Sequence, residues 1–321
     1  MRSLSVIDAP SDLGLRPTGV DGLPDALRAA GLLEGLSQRL STAVVPAPSY
    51  SPERDAATGV LNLDGIVAFS RRLAGQVTAA LQRGDFALVL GGDCSILIGA
   101  ALALRRRGRF GLAFVDGHAD FYMPEDEENG EVASMDLAVV TGHGLPALTG
   151  IDGLRPLVRE TDVVAVGMRD VDEEIADGAP DVRHSDVHLI ELDELRRRGT
   201  AAVAEWGLSI LQASGVEGFW VHLDADVLHD DVMPAVDYRQ PDGLRPDELE
   251  DLLAAFLSSP LAVGLDVTIY NPAFDDAKRS AARTLASVLA AALRMAVTAR
   301  RAEAPATRRG RPPGGVPGCG G

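Results

Sequence analysis

Cysteine is nearly absent from this 321-residue chain, which holds only Cys94 and Cys319. Two thiols make no disulfide framework and fit a reducing compartment. No run of eighteen apolar residues occurs, so no membrane span is expected. The first ten residues, MRSLSVIDAP, lack the apolar stretch of a secretory signal, and the expected location is cytoplasmic. Positive charge is also in short supply: the net charge is −17, which disfavours nucleic acid and anionic membranes as partners. An acidic surface of this kind serves solubility and is also able to attract small cations. The positive charge present is nearly all arginine, which we read as genome composition rather than function.

What the chain does have is a regular alternation of apolar strand patterns and helical periodicities. Hydrophobic residues make up 46%, ample for a large core. Strands are expected at Leu4 to Asp8, Thr42 to Val45, Phe86 to Leu90, Gly111 to Val115, Val163 to Val166, Val187 to Ile190, from Phe219, and at Ala262 to Asp266. Helices are expected at 21–40, 63–82, 96–107, 134–142, 201–212, 246–257 and 277–300. This order predicts an α/β fold, a three-layer αβα arrangement with a mostly parallel sheet of about eight strands. No linker or internal repeat divides the chain before Arg300, so residues 1–300 read as one domain. Residues 301–321 are rich in Pro, Gly and Arg and are expected to be disordered.

Two of these strands end in chemistry. Gly111-Leu112-Ala113-Phe114-Val115 runs into Asp116, His118 and Asp120, which share one side of an extended chain. Phe219-Trp220-Val221 runs into His222, Asp224 and Asp226, again on one face. Ligands of open α/β sheets sit beyond the carboxyl ends of the strands. Carboxylates gathered there repel one another unless a cation lies between them. Oxygen and nitrogen donors of this kind suit Mn²⁺, Fe²⁺ or Zn²⁺, and a bridged pair of such ions would activate a water. The competing reading is a polar loop capping a helix.

With these motifs placed, residues 1 to 300 resemble the arginase (ureohydrolase) family. Gly91-Gly92-Asp93-Cys94-Ser95 is similar to its GGDHS, Asp116-Gly117-His118-Ala119-Asp120 to its DAHxD, and Leu223-Asp224-Ala225-Asp226 to its FDxD. Arg169-Asp170-Val171-Asp172 is similar to RDVD, and Gly264-Leu265-Asp266 with Asn271-Pro272 to GLDxxExNP. The resemblance implies two divalent ions, Mn²⁺ foremost with Fe, Zn or Ni as alternatives. A hydroxide bridging them would attack a guanidinium or formimino carbon of a small-molecule substrate. It implies Asp116, His118, Asp120, Asp224 and Asp226 as ligands, with Cys94 at the sixth position. It also implies a homo-oligomer.

The departures from the pattern are specific. Cys94 replaces a ligand histidine and is either a softer ligand or an inert buried thiol. The family's proton-relay histidine falls on Ala133, in a register where Met135 and Leu137-Ala138 fit GMPLA. His143, in an HGxP-like segment, needs a ten-residue insertion to take that place. Ile269 replaces the glutamate of GLDxxExNP, and Tyr122 replaces an asparagine that helps bind arginine's α-carboxylate. Asp120 is expected to orient the hydroxide. His222 is expected either to move protons or to support a ligand carboxylate. Asp172 is expected to bind a substrate amine or to cap a helix, and Tyr122 to close the pocket or merely to pack. The function implied is metal-dependent hydrolysis of a guanidino, amidino or related C–N bond. Its rivals are a catalytically degenerate binder of a metabolite or partner, and an amide hydrolase or deacetylase.

Overall fold

The computed structural model describes residues 2–36 and 39–299. The segment expected to be disordered, 301–321, lies outside the described residues, as does Cys319. The strands are β1 (Leu4–Asp8), β2 (Leu40–Val44), β3 (Phe86–Leu90), β4 (Gly111–Val115), β5 (Val163–Val166), β6 (His188–Ile190), β7 (Phe219–Asp224) and β8 (Ala262–Thr268). The helices are α1 (Leu23–Ala29), α2 (Leu63–Arg83), α3 (Ile96–Arg105), α4 (Asp136–Thr141), α5 (Pro146–Thr149), α6 (Val171–Ala176), α7 (Leu192–Arg198), α8 (Thr200–Ala213), α9 (Pro246–Ser258) and α10 (Ser280–Thr298). All eight strands join one sheet in the order β2-β1-β3-β8-β7-β4-β5-β6, and every pairing is parallel.

The apolar strands explain the layering. Alternate residues of a strand point to opposite faces. In β3, Leu88 and Leu90 join the core under α1, α8, α9 and α10, while Ala87 and Val89 join the core under α2 and α3. Helices therefore cover both faces, which is why the inner strands β3, β4 and β5 are apolar and buried along their whole length rather than alternating, while the edge strand β2 is mostly exposed.

Some expectations needed correction. The helix expected over 21–40 is a short turn at Val20–Gly22 followed by α1, which stops at Ala29. Gly31 and Gly35 take left-handed conformations just beyond it, where glycine ends a helix without steric cost. The 134–142 helix divides into a 3-10 turn, Val132–Met135, and α4. Helices α5, α6 and α7 have no counterpart in the periodicity of the sequence. The membrane expectation also needs qualification: α10 is long and apolar enough, by length and composition, to cross a bilayer. Its apolar face, including Leu285, Leu289 and Leu293, is instead buried in the core beside α9.

The first three strands fill one side of the sheet, and the chain then crosses to β4 on the other side. Strands β8 and β7 return last and fill the gap between β3 and β4. The carboxyl ends of β3, β8, β7 and β4 thus stand side by side at the point where strand order reverses, the usual place for a ligand crevice.

Candidate metal centre

Neighbouring strands lie about 4.8 Å apart, so residues at the ends of β4 and β7 are placed to meet. Asp116 follows β4, and Asp224 closes β7. One ligand atom from each of Cys94, Asp116, His222 and Asp224 lies within 4.8 Å of the others. The same holds for Asp116, His118 and Asp226, and for Cys94, Asp120 and Asp136. Every ligand expected from the sequence is therefore brought to one rim of the sheet. Asp136 joins them, although no sequence motif marks it.

Tight turns make this convergence possible. A Cβ on Gly92 would collide with the backbone carbonyl of Ser11, so the turn after β3 requires glycine. Asp93 holds that turn, accepting from Ser95 N at 2.9 Å and Gly14 N at 3.2 Å, and burial pushes its carboxyl up to about 6. Asp120 sits at φ 48°, a left-handed position unusual for a non-glycine residue.

The carboxylates are held mainly by backbone. His118 N donates to Asp116 Oδ1 at 2.8 Å, Gly117 N to Asp226 Oδ1 at 3.2 Å, and Asp226 N to Asp224 Oδ1 at 2.7 Å. Cys94 Sγ donates to Asp224 Oδ2 at 2.8 Å. His118 Nδ1 lies 2.9 Å from Asp226 Oδ2. Burial raises the proton affinity of Asp116, Asp120 and Asp224, and their like-charged neighbours raise it further. Burial acts the same way on Asp226, but His118 and Arg169 outweigh it and hold that carboxyl below its usual value. Burial, with Asp224, Asp120, Asp136 and Asp116, pushes the Cys94 thiol well up.

His222 lies deeper. Its Nδ1 is 2.6 Å from Asp266 Oδ2, and Trp220 Nε1 donates to the other oxygen of Asp266. The parallel register of β7 and β8 sets this contact, because His222 and Asp266 are paired positions. Burial alone would lower the His222 pKa, yet Asp266, Asp116 and Asp136 hold it well above its usual value. His222 is fully buried and lies behind the walls of the cavity. The expectation that it moves protons to a substrate is thus not what the geometry offers.

That cavity, about 840 Å³, opens over the carboxylates. Its floor includes Cys94, His118, Asp120, Asp224 and Asp226. Glu125, Asp126, Glu127, Glu128, Glu173 and Asp177 line it, with Arg239 as the lining arginine. Tyr122 also lines it and donates to Asp177 Oδ2 at 3.0 Å. Asp172 does not reach it: its side chain is 87% exposed and pairs with Arg183 at 2.8 Å. Helix α6 turns Asp172 outward and Glu174 inward, with Asp170 just before the helix and the exposed Glu173 at the cavity's edge, so the substrate contact expected for Asp172 is corrected. Burial raises Asp170 to about 6, and burial with Asp170 raises Glu174 to about 9. Ala133 does line the cavity, whereas His143 pairs with Glu160 at 2.6 Å and lines no part of it.

The donor set fits divalent cations. Asp116 Oδ2, both Asp136 oxygens, Glu174 Oε1 and His222 Nε2 are buried with no hydrogen-bond partner. Such atoms cost several kcal/mol each in a dry interior unless a proton or an ion meets them. Hard carboxylates with two imidazoles and one thiol suit Mn²⁺, Fe²⁺ or Zn²⁺.

Comparison with known proteins agrees with this picture. The profile described as Arginase family matches residues 2–294. The arginase of Bacillus caldovelox is 30% identical over 293 residues, covering 89% of this chain and 96% of that protein. The arginase of Staphylococcus aureus (strain COL) is 29% identical over 295 residues, with the same coverage. The solved structure of the Bacillus caldovelox arginase has a TM-score of 0.82 at 28% identity, covering 94% of this chain and 99% of that one. Formimidoylglutamase from Bacillus subtilis shares the fold, with a TM-score of 0.70 at 18% identity over 92% of this chain and 87% of its own. A profile match over nearly the whole chain, joined to the same eight-stranded architecture, means that this protein belongs to the arginase family.

Proposed function

We propose that the protein is a metal-dependent hydrolase that cleaves a C–N bond in a small guanidino or amidino cation. One observation carries the reading: Asp116 and Asp224, from adjacent strands, share a buried cluster with Cys94 and His222 beneath an acidic cavity. The same proposal takes residues 1–300 as one folded unit working in the cytoplasm as a homo-oligomer.

Asp116, His118, Asp120, Asp224, Asp226 and Cys94 would hold the metals, with Mn²⁺ the first candidate and Fe, Zn or Ni the alternatives. When bound, two divalent ions supply Lewis acidity, lowering the pKa of a water and stabilising charge on the reacting carbon's substituents. Asp120 is the acid–base residue of the reading. It faces the cavity, and burial with Asp116, Asp136 and Glu174 raises its proton affinity. Its carboxylate is suited to accept a proton from the attacking water and return it to the leaving nitrogen. His222, tied to Asp266, acts as a positioning residue behind Asp116.

The lining chooses the substrate class. Carboxylates at the mouth attract a cation and repel an α-carboxylate. Ile269 offers a guanidinium no charge at the position of the family's glutamate. We therefore favour a guanidino compound with a second amino group over arginine. Tyr122 and Asp177 would face its distal end. A second reading is a degenerate member that binds without turnover; it is favoured by Ala133, since His118 is the imidazole among the described lining residues.

The experiment is to count metals per chain and to screen urea or ammonia release from guanidino compounds with Mn²⁺, Fe²⁺, Zn²⁺ and Ni²⁺. Two ions with release supports the reading. Two ions without release from any guanidino compound points to an amide hydrolase, and absence of metal points to the degenerate binder.

A further inference from the structure

Two acidic side chains of α6 are spent on another part of the chain. Asp170 stands just before the helix, where an aspartate usually accepts from the N–H groups of the first turn. Its side chain makes no such bond. Its Oδ1 accepts instead from Ala119 N at 2.9 Å. One turn on, Glu174 is 3% exposed, and its Oε2 accepts from Phe121 N at 3.3 Å. Its Oε1 is buried without a partner. Burying a carboxyl is costly unless it is bonded, and what Glu174 meets is the backbone of Phe121 and Asp120. Beyond it, Asp177 accepts from the Tyr122 hydroxyl at 3.0 Å. Positions 170, 174 and 177 share one face of a helix. Asp172 lies on the opposite face, in solvent.

These contacts converge on one residue. Ala119 and Phe121 flank Asp120, and Asp120 O accepts from Ala138 N, in α4, at 3.3 Å. Asp120 itself sits at φ 48°. A residue with a side chain keeps that conformation only where its surroundings hold it there. Residues 117–123 belong to no helix or strand, so no regular hydrogen-bond pattern supplies the hold. It comes from α6 on one side and α4 on the other.

We infer that Asp170 and Glu174 are positioning residues, which accept from the backbone on either side of Asp120 and so fix where its carboxylate faces the cavity. This rests on the place that the proposed function gives to Asp120. The alternative is that the two side chains, which also line the cavity, bind the substrate cation by charge. The two roles differ in what can replace them. Asparagine or glutamine keeps an accepting oxygen and loses the charge.

The test compares wild type with Glu174→Ala, Glu174→Gln, Asp170→Ala and Asp170→Asn. Hydrogen exchange at the Ala119 and Phe121 amides is read by NMR in the chelated protein, and Mn²⁺ affinity by calorimetry. Kinetics use whichever guanidino compound the wild type hydrolyses. In each alanine variant the backbone N–H that lost its acceptor should exchange about tenfold faster. Mn²⁺ should bind about 10- to 100-fold more weakly, and kcat should fall with KM unchanged. Glu174→Gln and Asp170→Asn should restore exchange, affinity and kcat. Alanine variants with wild-type exchange and affinity would overturn the inference. So would a KM raised equally by Glu174→Gln and Glu174→Ala, which would make the carboxylate a substrate contact. If an alanine variant does not fold, the wild type decides, because exchange at Ala119 and Phe121 as fast as in an open chain would overturn the inference. Wild type that binds no ion and turns over no guanidino compound would overturn the proposed function, and the exchange measurement would still decide whether α6 holds the segment.

Discussion

At the scale of single residues, two replacements decide how this site differs from the pattern it resembles. Cys94 donates to Asp224 and lies within 4.8 Å of donors from Asp120 and Asp136. A thiolate there would be a soft donor among hard ones. In the Co²⁺-loaded protein we expect a near-ultraviolet thiolate-to-cobalt absorption, absent from Cys94→Ser; an unchanged spectrum would show that the thiol is not a ligand. Ile269 is the second. It takes φ 67°, a genuine strain for a β-branched residue, on the cavity wall. Restoring a carboxylate with Ile269→Glu should lower KM for guanidino compounds by about tenfold, the worth of one charge-assisted hydrogen bond. Steady-state kinetics on the same substrates would check this, and an unchanged or raised KM would count against a guanidinium at that wall.

At the scale of elements, the turns after the strands do the placing. The turn at Gly91-Gly92 packs against Ser11, so that Asp93 can brace it and Cys94 can face Asp224. Gly92→Ala must displace one of the two backbones. We expect a loss of about 1 to 3 kcal/mol in urea unfolding, and weaker binding of the ion beside Cys94. Wild-type stability together with wild-type metal affinity would show that the turn has slack. Helix α6 shows the same principle from outside: a rotation of about 100° per residue sends Asp172 to solvent and Glu174 to the cavity. Position in a motif does not reveal that rotation.

For the whole molecule, the buried carboxylates couple metal to stability. Burial and mutual repulsion give Asp116, Asp120 and Asp224 folded-state pKa values above their unfolded ones. The folded, metal-free protein therefore holds more protons than the unfolded chain and loses stability as pH rises through that window. The raised His118 and His222 values act in the same direction, and the lowered Asp226 value opposes them. Chelated protein should unfold at a lower temperature at about pH 8 than at about pH 6, since a tenfold change in one group's proton affinity on folding is worth about 1.4 kcal/mol. Adding Mn²⁺ should raise the midpoint most at the higher pH, where protons no longer compete with the ion. A midpoint indifferent to chelator at both values would remove the cation from the account.

The sequence by itself determined the eight strands, their parallel pairing and the ends at which Asp116, His118, Asp120, Asp224 and Asp226 are found. Strand periodicity and motif order are local properties of the chain, so residues within a few positions of one another carry them. Only the tertiary structure decided the rest. Asp136 escapes notice in the sequence because the segment it belongs to matches a motif with proline at that position. Its meaning appears only when α4 places it 3.8 Å from His222. His222 stands out in the sequence, but its partner Asp266 lies 44 residues away on the neighbouring strand. Which face of the site His222 serves depends on the β7–β8 register. Pairings of that kind follow from how separate elements pack and not from the residues beside them, so no local pattern could have shown them.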